Sequence, residues 1–432
     1  MRKSAGALLF LVSVRLSAAG AGHAADVTVI RAGRLIDPRS GAVLMNAVIV
    51  VEAGKVKVVG ISPPIPPGAR EIDLSRFTVL PGLIDCHTHL VGDYSQSIEP
   101  LTDLRTTPAQ RAFESIPNAK KTLEAGFTTV RDVGTYRAFV DVALRDAIAK
   151  GWVEGPRMFV AGSYLTITGG GGAMTGIAPD IQLPWDLKFG VADGPDQVRQ
   201  RVRDIAQYGV DLIKVIATGA FLTHGSNPGS PEYTYEELRA AVEEAGKKGL
   251  KVAAHAHSTE GIKLAVRAGV ASIEHGTFLD DEGIALMKER GTYLVADIYD
   301  AEWLRHESKE LVPQDFAEKL PEADEIQRRN FEKAVKAGVR IAFGTDSSVY
   351  PHGLNARQFA WQVRYGQTPA EAIRSATLSA AELIGREKEF GSLEPGKWAD
   401  LIAVRGDPLQ DVRVLESVSF VMKEGKISKD AR

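Results

Sequence analysis

His87 and His89 stand two residues apart, directly after the apolar pair Leu83-Ile84 and the linking Asp85-Cys86. On an extended backbone, residues two apart point to the same side. Both imidazoles can therefore enter one space at the C-terminal end of a strand. Neutral imidazole is the commonest metal ligand. Similar groups recur along the chain: His255-Ala256-His257 after the run 251–254, Glu274-His275-Gly276 after 271–273, and Gly344-Thr345-Asp346-Ser347 after 340–343. Lys214 lies inside the apolar stretch Asp211-Leu212-Ile213-Lys214-Val215-Ile216. A charged lysine there is costly unless it is neutralised or paired. Its carbamate, formed with CO₂, would be an anion with two oxygens, suited to bridging two cations. Taken singly, each residue has an ordinary reading: a satisfied core histidine, an Asp in a turn, a lysine that snorkels or pairs with an acid. Taken together, His87, His89, Lys214, His255, His275 and Asp346 read as a site for divalent metal.

Elements must exist to position these donors. The 432 residues are too many for one small core. Apolar content of 44% and charged content of 25% are those of a soluble globular protein. A net charge of -3 gives no reason to expect a nucleic-acid or membrane-surface partner. Cys86 is the one cysteine, so no intramolecular disulfide can form. Residues 1–24 have the order of a signal peptide: Arg2 and Lys3, an apolar run at 5–14, then a small-residue tract with Gly22-His23-Ala24 as the cut site. That run is too short to span a bilayer. The expectation is a periplasmic or secreted protein, with no membrane segment in its mature form.

Residues 25–80 and 391–432 carry β-branched runs separated by Gly, Asp and Pro clusters. Neither piece is large enough to stand alone, so the two should share one small β-domain. Between them, strand-like runs at 79–85, 128–133, 157–161, 212–217, 251–255, 271–275, 293–297 and 340–344 alternate with helical patterns such as 196–208 and 234–248. Thr234 to Glu237 carries a capping signature. Eight β-α units in residues 81–390 predict an α/β fold, a (β/α)₈ TIM barrel with a small β-sandwich domain built from both chain ends. Catalytic groups in such barrels sit at the C-terminal ends of strands, and the donors fall there. Gly169 to Gly172 lacks the strand and helix of a phosphate loop and reads as a mobile segment near the barrel mouth.

The segments 80–90, 251–257, 272–276, 342–347 and 391–401 (GSLEPGKWADL) resemble the amidohydrolase superfamily in its two-metal, carboxylated-lysine form. The resemblance is to the imidazolonepropionase-like and Xaa-Pro dipeptidase-like branch, which includes bacterial ochratoxin-hydrolysing amidohydrolases. It implies that His87, His89 and Asp346 hold one metal and His255 and His275 a second, with Lys214 as N6-carboxylysine between them. Nitrogen and oxygen donors suit Zn²⁺, or another divalent first-row ion. It further implies attack by a metal-bridging hydroxide, with Asp346 moving the proton to the leaving amine. His257 would contact the substrate carbonyl or support its neighbours by hydrogen bonding.

The implied substrate is a small-molecule amide or dipeptide whose leaving amino acid keeps a free carboxylate. Tyr233, Tyr235, His224, His352 and Arg357 are the candidates to bind it. Relatives carry a histidine within the glycine run, where this chain has Gly169 to Gly172. A missing side chain would admit a bulkier acyl group, lined by Tyr164, Met174, Ile177, Trp185, Tyr299 and Trp303. Hydrolysis of ochratoxin A to ochratoxin alpha and phenylalanine fits that description. The alternative is a cyclic-amide hydrolase of the imidazolonepropionase type, with a deaminase behind it. A catalytically dead binding protein would have lost donors, and all six positions are filled here. A homo-oligomer is implied by the resemblance alone.

Overall fold

The computed structural model describes residues 27–94, 99, 101–307 and 314–432. The signal-peptide expectation for residues 1–24 lies outside the described residues. Four strands come first: β1 (Val27–Ile36), β2 (Val43–Glu52), β3 (Lys55–Gly60) and β4 (Arg70–Pro81). Nine shorter ones follow: β5 (Leu83–Thr88), β6 (Phe127–Asp132), β7 (Arg157–Val160), β8 (Tyr164–Leu165), β9 (Leu212–Ile216), β10 (Lys251–Ala256), β11 (Ser272–His275), β12 (Tyr293–Val295) and β13 (Arg340–Ile341). The chain closes with β14 (Leu401–Val404), β15 (Val418–Lys423) and β16 (Lys426–Asp430).

Both chain ends meet in one seven-stranded sheet of order β16-β15-β14-β4-β1-β2-β3. Its hairpins turn through Ala53-Gly54 and Glu424-Gly425, and all four residues have positive φ. Tight two-residue hairpins need that conformation, and glycine takes it without strain. The two tips touch: a Cβ on Gly425 would lie 2.7 Å from Gly54 Cα. Ile30, Ile49, Leu74, Val79, Leu401 and Phe420 are fully buried and pack together on this sheet.

The middle strands are parallel throughout, in a three-stranded sheet β5-β6-β7 and a six-stranded sheet β13-β12-β11-β10-β9-β8. Backbone hydrogen bonds cross both gaps between the two sheets: Cys86 N–H to Phe343 C=O at 2.8 Å, and Asp211 N–H to Val160 C=O at 2.8 Å. The chain is therefore mixed α/β, with a helix after most parallel strands. Helix ends follow the sequence. Thr234 and Glu237 close a capping box on Tyr235–Gly246. Ser258 caps Thr259–Ala268, which ends at left-handed Gly269. Among the described residues no helix is long and apolar enough to cross a membrane.

All eight expected strands have a counterpart, but the first needs correcting. The stretch 79–85 is two strands: Pro81 ends β4 opposite Leu401, and Leu83 begins β5. Only Gly82 stands between them, and a Cβ there would lie 2.1 Å from Thr128 Oγ1. Both strands are buried at this point, so hydrophobicity runs on through the junction and hides it. The carboxylate of Asp400 and that of Glu424 hold the Arg157 guanidinium at 2.6 and 2.7 Å, joining β7 to the terminal sheet.

One buried ion pair ties the parallel strands together beneath their C-terminal ends. Arg131 on β6 donates to both oxygens of Glu274 on β11 at 2.8 and 2.9 Å, to Ser272 Oγ at 2.9 Å and to Cys86 C=O at 2.6 Å. Burial works against the Glu274 charge, but the Arg131 guanidinium holds this carboxyl well below the usual carboxylate range. Arg131→Met should leave the Glu274 carboxylate buried and uncompensated. Unfolding free energy from urea titration should fall by about 3–5 kcal/mol, and an unchanged midpoint would contradict the role given to this pair.

Candidate metal centre

His87, His89, Lys214, His255, His257, His275 and Asp346 line one cavity at the C-terminal ends of the parallel strands. Its empty volume is about 1060 Å³, counting the solvent at its mouth. Strand pleat and register bring the donors in. His87 is the penultimate residue of the all-buried strand β5, and its carbonyl accepts Asp346 N–H at 2.8 Å. Asp85 braces this junction: its carboxylate accepts from His87 N–H at 3.1 Å, Thr345 Oγ1 at 2.6 Å and Asn355 Nδ2 at 2.8 Å. Burial pushes that carboxyl up to about 7. Lys214 is the third residue of the wholly buried β9 and is 1% exposed. His255 and His275 sit on the paired strands β10 and β11, with Ala256 opposite His275.

The donors converge in three overlapping groups, each with its ligand atoms within 4.8 Å of one another: His87, His89 and Asp346; His255, His257 and His275; His275, Asp297 and Asp346. Asp346 Oδ1 lies 3.1 Å from His89 Nε2 and 3.4 Å from His87 Nε2. The His255, His257 and His275 rings pack with centroids 4.5, 4.5 and 4.7 Å apart. Several rings are held from behind. His89 Nδ1 lies 2.7 Å from Gly134 C=O, His257 Nδ1 2.8 Å from Thr277 Oγ1, and His275 Nδ1 2.7 Å from Asp297 Oδ2. His87 Nδ1 is 3.0 Å from Glu274 Oε2. The carbonyl on His89 and the carboxylate on His275 fix the proton on Nδ1 and leave Nε2 for the cavity.

The electrostatics suit a cation. Burial, then the neighbouring imidazoles, drives His255 and His257 well below the usual histidine range, so both rings are neutral donors. Burial would raise Asp346, but His87 and His89 hold it ionised, well below the carboxylate range. Burial, partly offset by Glu274 and Asp346, brings the Lys214 ammonium down to about 8. At that value a useful fraction is neutral amine, the form that reacts with CO₂. Neutral imidazoles, an ionised carboxylate and an addressable amine, all within one cavity, are a donor set that fits divalent metal.

His257 thus joins His255 and His275 more closely than the sequence suggests. The five candidates for substrate carboxylate binding do not line the cavity. Tyr233 is buried and donates to Ala192 C=O at 3.0 Å. Tyr235 opens the helix Tyr235–Gly246. His224 is exposed, beside Gly176. His352 is buried with Nε2 2.8 Å from Gly92 C=O, and Arg357 pairs with Glu307 at 2.9 Å and Tyr299 Oη at 2.8 Å. Of the six residues expected to line an apolar pocket, Tyr164 alone does so. Tyr299 and Trp303 pack instead with Leu304, Val349 and Tyr350. The glycine run is not a loose segment either. Gly170 to Gly172 are buried, the Glu232 carboxylate accepts Gly171 N–H at 2.9 Å, and Thr223 Oγ1 donates to Gly171 C=O at 2.6 Å.

The cavity also takes in Tyr136, Phe221, Thr223, Asp297, Asp300 and Gln327. Asp297 carried a readable signal, an acid at the end of a strand-like run. Gln327 carried none, because it arrives on the helix Gln314–Ala337.

Comparison with known proteins agrees with this geometry. The amidohydrolase family model matches residues 78–428. An ochratoxinase of Aspergillus niger is 34% identical over 426 residues, covering 94% of this chain and 87% of that protein. Its crystal structure superposes with a TM-score of 0.85, covering 94% of this chain and 97% of that one. A Xaa-Pro dipeptidase structure with bound methionine in its active site is 39% identical, with a TM-score of 0.87, covering 93% of this chain and 99% of that one. An imidazolonepropionase of Cutibacterium acnes is 27% identical over 372 residues, covering 84% of each chain.

Purified protein should carry divalent metal by elemental analysis. Lys214→Ala should weaken metal retention by more than the ~10–100-fold typical for loss of an outer partner. A metal-free wild type, or a variant that keeps its metal and full activity, would refute the site.

Proposed function

The chain belongs to the amidohydrolase family, and from that premise we propose that it hydrolyses the amide bond of aminoacyl or N-acyl amino acids, releasing the C-terminal amino acid. It is an amide-bond hydrolase by kinship with the ochratoxinase and dipeptidase relatives. The reading of its substrate rests on one observation: seven donors, five of them buried, face one cavity whose wall includes Gly171 and Gly172. We read the two parallel sheets, hydrogen-bonded at both gaps, as one (β/α)₈ barrel. The seven-stranded sheet is then the companion β-sandwich domain, formed by 25–80 and 391–432 with the barrel between them.

Two divalent ions, zinc by preference, would be held by His87, His89 and Asp346 and by His255 and His275, with Lys214 bridging as its N6-carboxylate and His257 alongside. When bound, such ions polarise a substrate carbonyl and make water a nucleophile at neutral pH. The protein's own groups do the rest. Asp346 is held ionised beside His87 and His89, so it can take a proton from the attacking water and return it to the leaving amine. His257, locked by Thr277, presents its second nitrogen to the same space. Tyr136, Tyr164 and Phe221 offer rings to an aromatic acyl group.

The size of the cavity favours a bulky acyl half, and the glycine wall is closely packed. A Cβ on Gly172 would lie 2.6 Å from Ile216 Cγ1, so the wall cannot carry a side chain without moving. Ochratoxin A, an aromatic acyl group on phenylalanine, suits such a cavity, and an ochratoxinase is among the relatives. Export to the periplasm or medium, and assembly as a homo-oligomer, complete the proposal.

Zinc-loaded protein should release phenylalanine from ochratoxin A and other N-acyl-phenylalanines. The assay is amino-acid release across a panel that adds Xaa-Pro and Xaa-Arg dipeptides and imidazolone propionate. Turnover confined to small dipeptides would remove the wide-pocket reading. Ring opening of imidazolone propionate alone would replace it with the imidazolonepropionase type.

A further inference from the structure

The cavity histidines differ in the partners that hold their rings. His89 has a backbone carbonyl, His257 a threonine hydroxyl, and His275 alone a carboxylate at hydrogen-bond distance with good geometry, Asp297 Oδ2 at 2.7 Å. His87 faces Glu274, but that carboxylate is already clasped by Arg131 through both oxygens. Asp297 has no such cation in contact among the described residues. Its other oxygen accepts from Gln327 Nε2 at 3.0 Å, and the same amide nitrogen donates to His275 C=O at 3.2 Å. Asp297 is 2% exposed and Gln327 7%. Gln327 therefore grips both the carboxylate and the backbone of the histidine that the carboxylate orients.

His275 needs this grip. It is a non-glycine residue at φ 68, in the left-handed region, and its ring could swing if nothing held it. A carboxylate on Nδ1–H fixes the proton there. It turns Nε2 into the free donor and makes the ring a stronger ligand.

We infer that Asp297, seated by Gln327, is the positioning residue that holds His275 as a metal donor. The inference rests on the metal reading above. It predicts an effect confined to one metal position, because Asp297 supports His275 and touches neither His87 nor His89.

The experiment titrates zinc into metal-free wild type, Asp297→Asn, Asp297→Ala and Gln327→Met against a chromophoric chelator. Thermal unfolding of each metal-free protein is recorded beside it. Wild type should bind two equivalents. Asp297→Ala should weaken one of them by ~10–100-fold and leave the other at its wild-type affinity. Asp297→Asn should fall between, because its amide oxygen still accepts from Nδ1–H but has lost the charge. Gln327→Met should weaken the same equivalent by less than Asp297→Ala, with metal-free unfolding temperatures near wild type for the Asn and Met proteins. Wild-type affinity at both positions in Asp297→Ala would overturn the inference and leave the metal reading standing. So would Asp297→Asn as weak as Asp297→Ala, which would make the carboxylate itself a ligand. A wild type that binds no zinc would overturn both.

Discussion

A buried charge must be compensated, and seven ionisable side chains around one cavity, five of them buried, make that the governing constraint here. Lys214, His87, His255, His257, His275 and their neighbours cannot all carry their solution charges once water is excluded. The protein answers by holding His255 and His257 well below the usual histidine range, keeping Asp346 ionised beside His87 and His89, and bringing the Lys214 ammonium down to about 8. The result is a set of neutral imidazoles gathered beside an ionised Asp346. Divalent metal is the group that completes such an array.

The surrounding scaffold follows from the same constraint. Donors on separate strands must keep their spacing, so the strands are cross-tied just beneath them. Arg131 and Glu274 link β6 to β11 and reach β5 through Cys86 C=O. Asp85 links β5 to the segment after β13 through Thr345 and Asn355. Charged groups used this way are expensive to bury, and a well-packed apolar replacement is often no less stable. Their value lies in directional bonds that fix side-chain positions, which apolar packing does less sharply.

Much of this was legible in the sequence because period and composition encode it. An apolar strand ending in histidine, repeated along the chain, places donors at one end of a parallel sheet, and the structure brings all of them into one cavity. The junction at Gly82 was hidden because burial is continuous on both sides of it. The residues expected to meet the substrate carboxylate lie outside the cavity lining for a different reason. Tyr233 and His352 look like loop residues with polar ends, yet Tyr233 Oη and His352 Nε2 each meet a backbone carbonyl. Which way a loop side chain turns depends on long-range contacts that no local pattern carries. Gln327 was invisible for the same reason: it reaches His275 from a helix 52 residues later.

Backbone strain sits at the same place as the chemistry. His275 and Asp346 both occupy the left-handed region, at φ 68 and 52. Such positions cost on the order of 1–3 kcal/mol each and persist only where the surroundings over-determine them. Here the surroundings do. Gly276 N–H bonds Ala256 C=O at 3.1 Å, on the strand that carries His255, and Asp346 N–H bonds His87 C=O. Each strained residue is thus tied by backbone to the strand that holds its partner donor. Relaxing the backbone at either position would re-aim its side chain. The strain therefore falls on the two residues whose side chains the cavity needs.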